Sequence, residues 1–569
     1  MLDLVLRNGQ VVDGTGAPRR GGDVGVRDGR VVAIGDVEEP ATRTIDVDGA
    51  IVAPGFVDVH THYDAQVLWD PTLSPSILHG VTTAIAGNCG FSVAPLTPEG
   101  APYLLSMLAR VEGMPLPALE AASDWNWSTT AEFLDRLTGT LSPNVGFMVG
   151  HSAIRRAVMG PAAKEREATD YEIAAMTRLL RDGIEAGGLG FSSSIAESHN
   201  DDQGDPVPSR RASHRELLEL AGVCGEYEGT CLELVPGAGP GAFPEPVQQL
   251  LVDLSVRAGR PLNWNVLNVN AGNRDEVAAK LSVSDRARAA GGKVVGLFMP
   301  MPIHVRLNFL SGFVLDMLPG WDKLMALPPA DKLAMMRTPE GRATLLAPLA
   351  GTTARYARWD RYVLEECFTP ATKRYEGRAV GDIARETGKE PFDALLDIAV
   401  ADDLRTSFAF PSVSSTRADW EARGELLRDP RVVVGGSDAG AHLDMIDTFR
   451  YTTALLQQCV REQGLVSTEE AVHLLTQVPG ELHGLRDRGV LREGAWADVV
   501  VFDEATVGSQ EVSTRADLPG GEQRLFADSS GVHHVLVNGV PVLAEGRIAD
   551  ERPGHVLRSG RDTQTPALS

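Results

Sequence analysis

Short apolar, β-branched runs alternate with amphipathic stretches through the middle of the chain. The runs are GFVDVH, TTAIAGN, NVGFMVGH, GGLGFSSS, TCLELVPG, PLNWNVLN, KVVGLFMP and RVVVGGSDAG. Val-rich runs without polar alternation match parallel strands covered on both faces. Between them, Thr169-x-x-Glu172, Ser213-x-x-Glu216 and Ser467-x-x-Glu470 open stretches of helical periodicity and predict capping boxes. Eight runs alternating with helices predict an α/β chain folded as a (β/α)8 barrel. Two separate α/β domains fit less well, because no Pro/Ser-rich linker divides the middle.

Both ends of the chain break this rhythm. Residues 1–53 read as short strands, with hairpin signals at Asn8-Gly9 and Asp28-Gly29. They are too few to close a core alone. Their expected partner is the other end, where WADVVVFD, HHVLVNGVPVLAEGRIAD and HVLR read as strands with a turn at Asn538-Gly539. The seventh and eighth runs are separated by about residues 301–429, more than a loop requires. This insertion is expected to be a lid over the pocket, with dimerisation as the competing reading.

Composition narrows the function classes. The chain has 569 residues, 43% of them hydrophobic, and a net charge of -24 from 53 basic and 77 acidic side chains. Such acidity, with no basic cluster to offset it, argues against a nucleic-acid or anionic-membrane partner and says nothing positive about substrate. No stretch approaches the ~20 apolar residues of a membrane span. Five scattered cysteines argue against a disulfide framework and, with strands starting at MLDLVLRNG, favour the cytoplasm. Large acidic barrels often self-associate, so a homo-oligomer is compatible, although no motif specifies one.

The candidate chemistry lies at the ends of the runs. FVDVHTH places His60 and His62 one residue apart, on the same side of an extended strand, so both imidazoles can reach one point. An isolated HxH is a weak signal. Here it precedes a second run that ends in Cys89, a potential thiolate ligand. The eighth run ends in GSDAG, whose Asp438 can complete a metal site with the first run and hold an attacking water.

These segments carry a resemblance. LVLRNGQVVDGTGAP, PGFVDVHTHYD, GVTTAIAGNCGFSVAPL, VGHSAIRRAVMG, GSDAG and TQVPGELHGLRDRGVLREGAWADVVVFD resemble the amidohydrolase superfamily, within it the N-acyl-D-amino-acid deacylase branch. The resemblance implies a barrel at 54–484, with its insertion at about 301–429, beside a small β-sandwich built from 1–53 and 485–569. It further implies metal-dependent hydrolysis of an amide bond, with His60, His62, Cys89 and Asp438 as ligands and Asp438 as general base. The divalent metal is expected to be Zn²⁺, one ion rather than two. His151, in VGHS, is a candidate to stabilise the oxyanion or orient substrate.

Two departures from the branch pattern stand out. Its fifth and sixth strands end in histidine ligands, whereas TCLELVPG and PLNWNVLN have none. Glu233 is the acid available in the fifth run, either as a substitute ligand or as a pocket residue. Asn263 and Asn265, in the sixth, belong to a residue type that ligates zinc poorly. The branch's fourth-strand tyrosine gives way to FSSSIAESHND, with Glu197 and His199, and its lysine to NVLNVN. Glu197, His199, Asn265, His304 and Arg306 are therefore the candidate substrate-binding residues. A small N-acylated compound such as an N-acyl-D-amino acid is the expected substrate. The rivals are a cyclic amide, imide or lactone hydrolase, and a lapsed barrel that only binds.

Overall fold

In the computed structural model, residues 1–237, 241–311, 313–352, 354–411 and 416–568 are described. All eight predicted runs contain strands, and these pair in parallel in chain order. Phe56–Asp58, Val81–Ala86 and Asn144–Phe147 form one sheet. Val149–Gly150, Gly190–Ser194, Cys231–Val235, Leu262–Leu267, Val294–Phe298 and Val432–Val434 form another. The third run belongs to both, because Met148 interrupts its ladder. Beyond the last strand the first and eighth runs meet again. A parallel bridge joins Thr61 to Ala439, His62 N donates to Ala439 O at 2.7 Å, and Asp438 N donates to His60 O at 3.2 Å.

The two ends of the chain share a nine-stranded sheet. Ile51–Pro54 pairs antiparallel with Val499–Phe502, so the segment that leads into the first run is locked to the C-terminal stretch. Asp28-Gly29 and Asn538-Gly539 form two-residue hairpin turns, with positive φ at all four positions. Asn8-Gly9 differs from its expectation. Asn8 has φ 61° inside the continuous strand Leu2–Val11, where the ladder slips between Leu6 and Gly9. It makes a bulge rather than a turn, and Asp46 accepts from Asn8 Nδ2 at 3.0 Å. The HVLR strand, Val556–Leu557, pairs not with the N-terminal strands but with Asn144–Phe147.

Helix starts follow the sequence with one exception. Thr169 and Ser467 form capping boxes with Glu172 and Glu470. Ser213 accepts from Glu216 N, but the Glu216 carboxylate turns inward to His151 and Arg155. A buried imidazole and guanidinium offer it stronger, charge-assisted bonds than the cap backbone does. The insertion packs around its own apolar cluster, which includes Trp321, Trp359, Phe392 and Phe408, with a strand pair Val363–Glu366 and Ser407–Ala409. No helix among the described residues is long and apolar enough to cross a membrane. All five cysteines are free and buried.

Candidate active site

The first run ends where its backbone meets the eighth, so their side chains converge. His60 Nε2 lies 3.0 Å from Asp438 Oδ1, and His62 Nε2 lies 3.7 Å from the same oxygen. Cys89 Sγ is 3.4 Å from His60 Nε2 and 3.6 Å from His62 Nε2. One ring nitrogen from each histidine and the cysteine sulfur all lie within 4.8 Å of one another, and all three residues are buried. Asp58, beneath them, accepts from Ser437 Oγ at 2.6 Å and ties the two runs together.

Local backbone geometry aims these groups. Cys89, Asp438 and His442 have φ of 56°, 51° and 48°, a region that non-glycine residues seldom adopt and that concentrates at functional sites. The glycines of GNCG and GSDAG make room. A Cβ on Gly87 would stand 2.3 Å from Met148 O, and one on Gly440 would stand 2.8 Å from the His62 carbonyl group.

The departures from the branch pattern also reach this centre. Glu233 is level with Asn263 on the neighbouring strand, and its Oε2 accepts from Cys89 N at 2.8 Å. Its Oε1 is buried without a partner. Asn265 Nδ2 lies 3.1 Å from His60 Nε2, whereas Asn263 turns back to Leu232 O at 3.2 Å.

Two further residues join that sequence reasoning missed. Glu112 Oε2 is 3.6 Å from His62 Nε2 and 4.0 Å from His442 Nε2. Glu112 caps the C-terminus of Ala101–Val111, where the helix dipole disfavours an acid. That misplaced charge was the available signal. For His442 the signal was its position four residues after Asp438.

Other candidates lie outside the cluster. His151 Nδ1 lies 2.8 Å from Ser193 Oγ and its Nε2 2.9 Å from Glu216 Oε1, so both ring nitrogens are committed. Glu197 is exposed. His199 bonds Ser194 Oγ at 2.7 Å and packs on Phe91; desolvation, with the nearby His442 and His62, lowers its pKa to about 3. His304 and Arg306 share Glu365 of the insertion, at 2.6 and 2.8 Å.

The electrostatics are those of a site short of positive charge. Burial raises Glu233 to about 8 and Glu112 to about 7, and it raises the Cys89 thiol as well. Desolvation opposes protonation of His62, yet Glu112 and Asp438 outweigh it and hold its pKa at about 9. Burial also opposes the Asp438 carboxylate, but hydrogen bonds from His60 and His62 keep it far below the usual range. A cation among these groups would offset the cost of ionising them together. Imidazole nitrogens, a thiolate and carboxylates form the donor set that divalent transition metals take. The residues present therefore fit a metal.

Comparison with known proteins settles the family. The Amidohydrolase family matches residues 43–543. The chain belongs to that family. This amidohydrolase is 30% identical to an N-acyl-D-glutamate deacylase from Alcaligenes xylosoxydans xylosoxydans, over 98% of this chain and 96% of the relative. It also superposes on an N-acyl-D-glutamate deacylase from Bordetella bronchiseptica, solved with zinc and a phosphonate mimic of the tetrahedral intermediate. There the TM-score is 0.65 and the identity 28%, covering 98% of this chain and all of that one. A D-aminoacylase structure with a binuclear metal center gives a TM-score of 0.66 at 26% identity, with the same coverage.

Proposed function

We propose that this amidohydrolase cleaves the amide bond of a small N-acyl-D-amino acid, using a divalent metal, Zn²⁺, one ion held by His60, His62, Cys89 and Asp438. The observation that carries the reading is the convergence of His60 Nε2 and His62 Nε2 on Asp438 Oδ1, at 3.0 and 3.7 Å, with Cys89 Sγ beside both rings. The deacylase activity of its relatives and the zinc of the neighbouring structure support it.

The architecture behind the proposal is a (β/α)8 barrel at 54–484 beside a small β-sandwich made from 1–53 and 485–569, less the Val556–Leu557 strand that pairs with Asn144–Phe147, with 301–429 as a lid. The parallel order of the eight runs and the Thr61–Ala439 bridge support the barrel. Free cysteines suit the cytoplasm.

When bound, the ion polarises the scissile carbonyl and brings the pKa of water toward ~7. Asp438 takes the proton of the attacking water and delivers it to the departing nitrogen. Asn265 Nδ2 and the His60 ring fix one wall of the site, and Glu233 fixes the Cys89 backbone through its N–H. His199, bonded to Ser194 Oγ and packed on Phe91, is the pocket residue offered to the substrate.

The test is to purify the protein, determine its metal content and assay N-acetyl-D-amino acids beside cyclic imides and lactones. Stoichiometric zinc with deacylation of the D-amino acid derivatives is the expected result. Turnover confined to cyclic substrates would replace the substrate class, and a metal-free, inactive protein that Zn²⁺ does not restore would end the reading.

A further inference from the structure

Glu112 belongs to neither the first-run nor the eighth-run set, yet it is only 2% exposed and stands at the centre. The His62 Nε2 atom meets Glu112 Oε2 at 3.6 Å, Cys89 Sγ at 3.6 Å and Asp438 Oδ1 at 3.7 Å. Separations of this order are those of donor atoms that share an ion through bonds of about 2.0–2.3 Å. We propose that Glu112 is an additional metal ligand on the His62 side of the site, a proposal that rests on the metal-dependent function put forward above. An anionic oxygen donor there adds to a donor set in which the fifth and sixth runs contribute no imidazole.

The fold holds Glu112 in place from two directions. Its N–H donates to Leu108 O at 2.9 Å, and its carbonyl accepts from His442 N, which pins it to the loop after Asp438. Arg110, two residues earlier, donates to Ser311 O at 3.2 Å and pairs with Asp316, both in the insertion. The helix that carries this acid is thus fixed to the eighth run's loop at one point and to the insertion at another. His442, 4.0 Å from the same oxygen, is the competing partner.

The experiment titrates the chelator-stripped full chain with Co²⁺, comparing the wild type with Glu112→Gln by chelator competition and visible absorption. Glu112→Gln is expected to keep the thiolate-to-cobalt band from Cys89, shift the cobalt d–d bands and weaken binding at least tenfold. Unchanged d–d bands would overturn the proposal and leave Glu112 as a partner of His442. Wild-type protein that takes up no Co²⁺ would overturn the metal-dependent function and this inference with it. If Glu112→Gln does not fold, Glu112→Asp and Asp316→Asn take its place. Both are expected to shift the d–d bands, and unaltered bands in both would again overturn the proposal.

Discussion

Two buried histidine clusters lie at run ends of this amidohydrolase, and they are built on opposite terms. Around His151 the charged groups answer one another, and Arg155 Nε is the one polar atom of the His151, Glu216 and Arg155 side chains that is buried without a partner. The ring is bonded through both nitrogens, Glu216 pairs with Arg155, and Arg155 Nη2 reaches Ala163 O and Arg166 O at 3.1 and 2.9 Å. Around His60 and His62 the groups converge without satisfying one another. The Nδ1 atoms of both rings, Glu233 Oε1 and Asn265 Oδ1 are buried and lack hydrogen-bond partners. A satisfied buried network specifies a fold. An unsatisfied one, rich in donor atoms for a metal, marks a place where something else binds.

Mutation can break this contrast. Asp438→Asn should lower kcat for an N-acetyl-D-amino acid by about 10²–10⁴-fold while circular dichroism shows the fold retained. A rate close to normal would remove Asp438 as the base. Glu216→Gln acts on the other cluster. It leaves Arg155 buried without its carboxylate, so denaturant unfolding should report a loss of about 3–5 kcal/mol with metal content unchanged. Loss of metal in that variant would mean that the two clusters are not independent.

Metal removal should cost about 3–4 kcal/mol when the free ion stands at 100–1,000 times its dissociation constant. Melting with and without chelator measures it, and an unchanged midpoint would contradict a resident ion.

The smallest effect sharpens the electrostatic side of the comparison. Burial raises Glu233 from 4.5 to about 8. In the metal-free protein the folded state then keeps a proton that the unfolded state has lost, so stability falls as pH rises through that window. The slope from one such group is at most ~1.4 kcal/mol per pH unit. Glu112 and Asp58 are raised only to about 7, so between pH 7 and 8 the slope comes chiefly from Glu233 together with His62, which is held at about 9 and likewise keeps a proton that the unfolded chain has lost. Glu233→Gln should flatten the apo-protein's stability there, and an unaltered slope in melting against pH would assign it elsewhere.

Much of the site was legible because its signals are local. HxH on one strand, Cys89 between glycines and Asp438 in GSDAG each report position through short-range geometry. The period of the runs likewise announced the strands and their parallel order. The capping pattern at Ser213 misled because it was also local, while Glu216 had a better partner 65 residues away in His151.

What the sequence determined by itself was therefore the set of elements and the candidate ligands fixed to their ends, since backbone periodicity and turn chemistry need only near neighbours. The tertiary structure decided which further side chains meet them. Glu112 arrives on a helix, Glu233 and Asn265 on separate strands, and His442 from a loop. Their convergence depends on how distant segments pack and on the desolvation that packing imposes, and neither quantity has a counterpart in the spacing of residues along the chain.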